Sequence, residues 1–425
     1  MPEQYQFAGS SASDIARSVE TAIARGNLAP GVALPSVRTL ARDLEVSPTT
    51  VAAAFAELRR RGVIISRPRS GTRVAERPPL RYPIALVPEG ARDLATGSPD
   101  LALLPDFPAV AGPQRLYAAE PVLAELAELA AEAFVADGIP AGRVCAVNGA
   151  LDGIERVLTA HLAPGDAVAV EDPGWTGVFD LSRMLGLRLV GIPVDERGML
   201  PEALAAADVR AVVLTPRGHN PLGAAFDAAR ADELRRALPD DVLVIEDDHL
   251  GPVAGTPYET LIRDRPRWAA VRSLSKWLGP DLRLAVLTGD PTTLARVEGR
   301  QALGPGWVSG LIQRLAVRMW SDPDVLARVA EAADTYRERR EAFAAAVGVP
   351  APPSGINVWV PVPDEDAVVR ALLAEGWAVA AGTPYRLSGG PAIRVTVAAL
   401  DVSEAPALAA AIGRAVAPAL RTRAA

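Results

Sequence analysis

Lysine is nearly missing from this chain: of 44 lysine and arginine residues in 425, only Lys276 is a lysine. For surface charge either residue serves, but a site that needs a primary amine has no choice. Guanidinium stays protonated and cannot condense with an aldehyde, whereas a lysine amine can lose its proton and do so. Cysteine is as scarce: Cys145 stands alone, which excludes an intrachain disulfide, fits a reducing compartment and reads as a small core residue. The three histidines, His161, His219 and His249, show no paired ligand spacing, so no metal site is predicted. No apolar run approaches membrane-spanning length, and the opening MPEQYQFAGSSASD has no basic segment leading into an apolar one. Neither a membrane span nor a signal peptide is expected, and the location is read as cytoplasmic.

What is present reads as globular, with 49% apolar and 22% charged residues on a chain long enough for two or three domains. The net charge of −7 conceals an asymmetry. Residues 1–77 hold eleven arginines against seven carboxylates, a local +4 that leaves −11 for the remainder. A basic head on an acidic body points to an anionic partner for the head alone.

In the head, Ile15, Val19 and Ile23 recur at four-residue spacing, one face of a helix ended by Gly26. LPSVRTLARDL offers Ser36 as N-cap with Val37, Leu40 and Leu44 as the apolar stripe. VSPTTVAAAFAELRRRG offers Ser47 as N-cap, Pro48 at the first helical position and Val51, Phe55 and Leu58 facing inward. The tight turn at Glu45–Val46 makes the pair a helix-turn-helix, and VIISRPRSGTRVA continues as a hairpin around Arg67-Pro68-Arg69-Ser70-Gly71, with a basic tip. The result is a winged helix suited to double-stranded DNA. Thr49 and Thr50 stand at the exposed start of the second helix, while Arg38, Arg69 and Arg73 can neutralise phosphates. The stretch LPSVRTLARDLEVSPTTVAAAFAELRRRGVIISRPRSGTRV resembles the GntR-type DNA-binding domain over nearly its whole length.

RPPLRYPIALVPEG, with four prolines and no periodicity, reads as an extended spacer, and 78–94 is assigned as linker. From about residue 95 short apolar runs alternate with amphipathic helices, the pattern of an α/β sheet with crossover connections. Five strand-end loops carry unusual polar residues. NGALDGIERVL places Gly149 and Ala150 at a strand-to-helix turn whose free N–H groups can hold a phosphate. VEDPGW ends at Trp175, a flat face for stacking, and TPRGHNPLG presents Asn220. VIEDDH ends in Asp247, where a carboxylate can balance a cationic pyridinium. SLSKWLGPDLRLA gives Ser273 and Ser275 as phosphate donors, Lys276 as the amine and Arg283 as a phosphate clamp.

Taken in this order, the set resembles fold-type I pyridoxal-5′-phosphate enzymes, the aminotransferase class, over roughly residues 95–425. With the GntR-like head the whole resembles the MocR subfamily of regulators. The resemblance implies a large α/β domain over 95–330 and a small α+β domain over 331–425. It implies Lys276 in Schiff-base linkage to the cofactor aldehyde, Asp247 on the pyridine nitrogen, Asn220 on the phenolic oxygen and Trp175 on the ring. Ser273, Ser275, Arg283 and the Gly149–Ala150 turn would take the phosphate, and Arg394 in GGPAIRVTVAAL the carboxylate of an amino acid. His249 stands where relatives often carry tyrosine; it could donate the same bond but would titrate near neutrality. YAAEPVLAELAELAAEAFVADGIP lacks the Gly and Leu-Arg of many relatives and reads as an ordinary amphipathic helix.

The family implies a homodimer, head-to-tail in relatives of this architecture. Three readings remain open on residues alone. The body senses an amino compound through the cofactor and alters DNA affinity; or it is a working aminotransferase with an accessory head; or it has lost the cofactor, against which the unbroken set Lys276, Asp247, Asn220 and Arg283 speaks.

Overall fold

In the computed structural model the described residues are 7–24, 28, 31–60, 63–67, 71–75, 87–112, 116–117 and 119–423. The head comprises α1 (Ala12–Ala24), α2 (Val37–Asp43), α3 (Pro48–Arg60), β1 (Ile64–Arg67) and β2 (Gly71–Val74). Ile15 and Val19 of α1 meet Leu40 of α2 and Val51, Phe55 and Leu58 of α3 in a buried core, closed by Ile64 and Val74 of the wing. Both anticipated caps form. Ser36 Oγ accepts from Thr39 N at 3.1 Å and Ser47 Oγ from Thr50 N at 3.0 Å, each stabilising its helix by about 1 kcal/mol. Glu45 turns the chain between α2 and α3 at φ 54°, a left-handed conformation unusual for a residue with a side chain. β1 and β2 pair antiparallel, Ile64 opposite Val74. The tip residues 68–70, Arg69 among them, lie outside the described residues.

The body begins with β3 (Arg92–Leu94) and α4 (Ala124–Ala136). Then come β4 (Cys145–Val147), α5 (Ala150–His161), β5 (Ala167–Asp172), β6 (Arg188–Asp195), β7 (Gly198–Met199), β8 (Ala211–Leu214), β9 (Leu243–Asp248), β10 (Trp268–Ser273) and β11 (Ala285–Gly289). These strands form one sheet in the order β4-β11-β10-β9-β8-β5-β6-β7. Strands β5, β8, β9 and β10 run parallel, and every residue in them is buried. Such strands read as continuous apolar runs because helices cover both faces. β11 returns antiparallel beside β10 and β4. Loops that leave β8, β9 and β10 at the same end of three adjacent parallel strands therefore converge, which is where an open α/β sheet keeps its ligand.

A four-stranded sheet, β12 (Asn357–Pro361), β13 (Trp377–Ala381), β14 (Ala392–Thr396) and β3, has the order β12-β14-β13-β3. Its apolar face packs with Phe343 of the helix Pro323–Val347, Leu372 of Glu365–Ala374 and Leu408 of Ala405–Arg423. One boundary is corrected here. Arg92–Leu94, assigned to the linker, is a strand that pairs in parallel with Trp377–Val379 and buries Leu94 completely. Three residues are too few to show a period, so only the pairing reveals it. α4 is the amphipathic helix expected, with Leu126, Ala130 and Phe134 inward, and Cys145 is a buried core residue whose thiol pKa is pushed up by burial.

Candidate cofactor site and DNA-reading face

Lys276 lies three residues beyond β10, and its Nζ donates to Gly97 O at 2.6 Å. Burial, with the guanidinium groups of Arg394 and Arg283, lowers its pKa from 10.5 to about 8. The amine is thus eased toward its nucleophilic free-base form, with no carboxylate paired to it among the described residues. Gly97 itself, at φ +71°, stands where an added Cβ would come within 3.4 Å of Arg394 Nη1. Arg394, from β14 and almost fully buried, donates to Asn220 Oδ1 at 3.2 Å and to Ala95 O, and stacks over Tyr385 at 4.6 Å. The stretch Ala95–Gly97 consequently touches both the amine and the guanidinium, a role that three small or polar residues in an irregular segment did not advertise.

Asp247 at the end of β9 is 2% exposed, and its Oδ1 has no hydrogen-bond partner among the described residues. Burial, and secondarily the neighbouring Asp248, raises its pKa from 3.8 to about 8. A buried carboxylate left unpaired beside well-satisfied neighbours is the kind of group that a cationic ligand atom would complete. His249 Nδ1 and Ser275 Oγ are likewise buried without partners among the described residues. The imidazole of His249 lies 6.4 Å from the Trp175 ring, at 22° to its plane. Its expected titration near neutrality is corrected: burial, then the Lys276 charge, lowers the pKa to about 4, so at pH 7 it is neutral. Gly149, at φ +95°, precedes α5, and a Cβ there would stand 2.9 Å from Arg283 Nη2. The positive φ favours glycine there, and a side chain would crowd that guanidinium. Ser273 Oγ accepts from Ser275 N at 3.2 Å and fixes the loop that leads to Lys276.

The arrangement suits a planar, phosphorylated, cationic heterocycle. Asp247 would face its ring nitrogen, Trp175 and His249 its ring and oxygen, Ser275, Arg283 and the Gly149–Ala150 turn its phosphate, and Lys276 its carbonyl carbon.

On the head, Arg38, Ser36, Ser47, Thr49, Gly71 and Arg73 are exposed. Thr50 is half-buried, because its hydroxyl closes on Ser47 Oγ at 2.8 Å in the cap. Arg73 is tethered to Gly31 O at 3.0 Å. Thr49 is therefore the freer of the two threonines at the start of α3.

Sequence reasoning missed a buried cluster behind these loops. Asp248 is held by Arg217 and Arg272, Glu246 by Tyr258 and Thr260, and Glu171 by Thr215. A run of three acids at a strand end, Glu246-Asp247-Asp248, was the available signal.

A winged helix of the GntR kind joined to a fold-type I body defines a class: DNA-binding regulators with an aminotransferase-like domain for pyridoxal 5′-phosphate. Comparisons with known proteins agree. Residues 11–74 match the bacterial regulatory proteins of the gntR family and residues 108–412 the class I and II aminotransferases. The chain is 37% identical, over 96% of its length and 99% of the relative's, to the vitamin B6 salvage pathway transcriptional repressor PtsJ of Salmonella typhimurium. It is 29% identical to the pyridoxine biosynthesis regulator PdxR of Corynebacterium glutamicum, covering 67% of this chain and 66% of that one. The fold is shared with the α-aminoadipate aminotransferase LysN of Thermus thermophilus, at TM-score 0.65 and 22% identity over 79% of this chain and 94% of that one. The chain belongs to the MocR-type regulators of the GntR family.

Proposed function

We propose that this regulator's affinity for its operator depends on what occupies Lys276. Its primary signal is pyridoxal 5′-phosphate itself; an amino compound whose carboxylate is taken by Arg394 is a second input at the same place. When bound, the cofactor supplies an aldehyde that condenses with a primary amine. The observation that carries the reading is the conjunction of the chain's sole lysine, eased toward free base, with the Asp247 carboxylate on the adjacent strand, whose Oδ1 has no hydrogen-bond partner among the described residues. The relatives named for vitamin B6 salvage and pyridoxine biosynthesis support pyridoxal phosphate as the signal.

Two contacts of the site support a physical means of response. A ligand that takes the Lys276 amine competes with Gly97 O, and a carboxylate on Arg394 competes with Ala95 O. Both carbonyls lie directly after β3 and the linker. Two states that differed in this segment would bind such a ligand with different free energy, which is the requirement for coupling to the head.

The test is DNA binding by the full chain, on a duplex selected from a random pool, with and without pyridoxal phosphate, read by fluorescence anisotropy. A shift in affinity of about fivefold or more, the lower end of typical coupling, is expected for wild type and none for Lys276→Arg. Equal affinity in both conditions would sink the sensor. The aminotransferase reading draws on the lowered Lys276 pKa, which equally suits a general base; sustained conversion of an amino donor and a keto acid would establish it.

A further inference from the structure

Three consecutive acids end β9, and strand alternation sends them to opposite faces: Asp247 to one side, Glu246 and Asp248 to the other. Asp248, 1% exposed, accepts four hydrogen bonds. Arg217 grips it with two, Nε to Oδ1 at 3.0 Å and Nη2 to Oδ2 at 2.9 Å. Arg272 Nε adds a third at 2.6 Å and Gly251 N a fourth at 3.1 Å. Arg272 Nη2 then reaches Asp137 at the end of α4, which also lies 3.8 Å from Arg217 Nη2. Two aspartates and two arginines thus form a closed, neutral quartet, with Tyr258 flanking both guanidinium groups at 5.1 and 5.6 Å.

The address of each member in sequence matters. Arg217 precedes Asn220 by three residues, in the loop after β8. Asp248 sits between Asp247 and His249, at the end of β9. Arg272 precedes Lys276 by four, at the end of β10. One carboxylate therefore ties together the three loops that bring four of the site's residues into one place.

We propose that Asp248 is the positioning residue of this site: through Arg217 and Arg272 it sets the spacing between Asn220, the Asp247–His249 pair and Lys276, without touching the ligand. The inference rests on the reading above for the ligand's identity, but its geometry does not depend on it. Buried ion pairs of this kind contribute little net stability against an apolar replacement. Positioning is what a bidentate guanidinium offers and a lysine ammonium does not.

Because Lys276 is the only lysine, its environment can be read without any cofactor. The full chain is labelled with an amine-acylating reagent across pH, and modification at Lys276 is quantified by peptide mass, separately from the N-terminal amine. Arg217→Lys and Arg272→Lys keep the charge and lose the fork; Asp248→Asn is the harsher variant, and Val244→Ala in the same strand is the control for a plain loss of stability. Both lysine variants add an amine at a known peptide, counted separately. Expected is a midpoint for Lys276 labelling displaced by about half a pH unit or more, and a pyridoxal phosphate dissociation constant roughly tenfold weaker, beyond what Val244→Ala shows. If the arginine variants match the control in both readouts, the quartet is scaffolding alone and the proposal is overturned. If wild type takes up no pyridoxal phosphate, the functional reading fails, and the labelling midpoints still decide this one.

Discussion

Head and body differ in that the body buries several of its arginines, whereas the arginines described in the head are all exposed. Arg17, Arg38, Arg42, Arg59 and Arg73, the head arginines whose side chains are described, are all exposed. In the body Arg217, Arg230, Arg272, Arg340 and Arg394 are each less than a tenth exposed, and each is hydrogen-bonded to carboxylates, carbonyls or an amide oxygen. An exposed guanidinium keeps its hydration until a phosphate displaces it, so it acts in binding and contributes little to folding. A buried one has lost its water already and must find every partner inside the chain. The arginine bias that leaves Lys276 alone thus supplies an exposed basic face on the head and, through the buried subset, internal order in the body.

The largest effect should come from the one position where arginine fails in either role. Lys276→Arg keeps the charge, yet after borohydride treatment with pyridoxal phosphate it should retain no covalently bound cofactor, against nearly stoichiometric retention in wild type, read by absorbance and intact mass. Retention by the variant would place the attachment elsewhere. Next in size, Arg272→Ala should cost about 3–5 kcal/mol, because it leaves Asp248 and Asp137 short of a buried partner, measured by chemical denaturation. A loss below 1 kcal/mol would erase the contrast between the two regions.

Much of this was legible in order of locality. The head was readable almost residue by residue, because caps, stripes and a Pro at the first helical turn act within four or five positions. Ser36, Ser47, Pro48, Val51, Phe55 and Leu58 all stand as the spacing predicts. The loops that carry Lys276 and Asp247 stood out through their residue types, since a single lysine and a strand-terminal aspartate are conspicuous against this composition. What escaped was long-range. Gly97 meets Lys276 across 179 positions and Arg272 meets Asp137 across 135. β3 was hidden because its partner strand lies about 280 residues away, at Trp377–Val379. His249 was misjudged because its residue type suggests a neutral-range titration, and it is burial together with the nearby Lys276 charge that lowers it.

An intermediate effect separates folding from ligand in the body. Asp247 keeps its proton up to about pH 8 in the folded chain, while the unfolded chain releases it near 3.8. Between those values the unfolded state binds fewer protons, so this group's contribution to stability falls as pH rises. Asp247→Asn should therefore stabilise the cofactor-free protein, increasingly so toward pH 8, and at the same time weaken pyridoxal phosphate binding. Melting temperatures across pH and a cofactor titration check the two directions. A variant less stable than wild type at pH 8 would mean that Asp247 is already satisfied.

The smallest effect on folding belongs to the head, and its smallness is informative. Arg38 is exposed beside the Ser36 cap of α2. Arg38→Ala should change stability by no more than about 0.5 kcal/mol. If its guanidinium meets one phosphate, the slope of log affinity against log salt should become shallower by about one, equally for every DNA sequence tested. A sequence-dependent loss would instead put Arg38 on a base edge. An unchanged slope would leave it out of the interface, and the basic surplus of the head would then have to act through its other arginines.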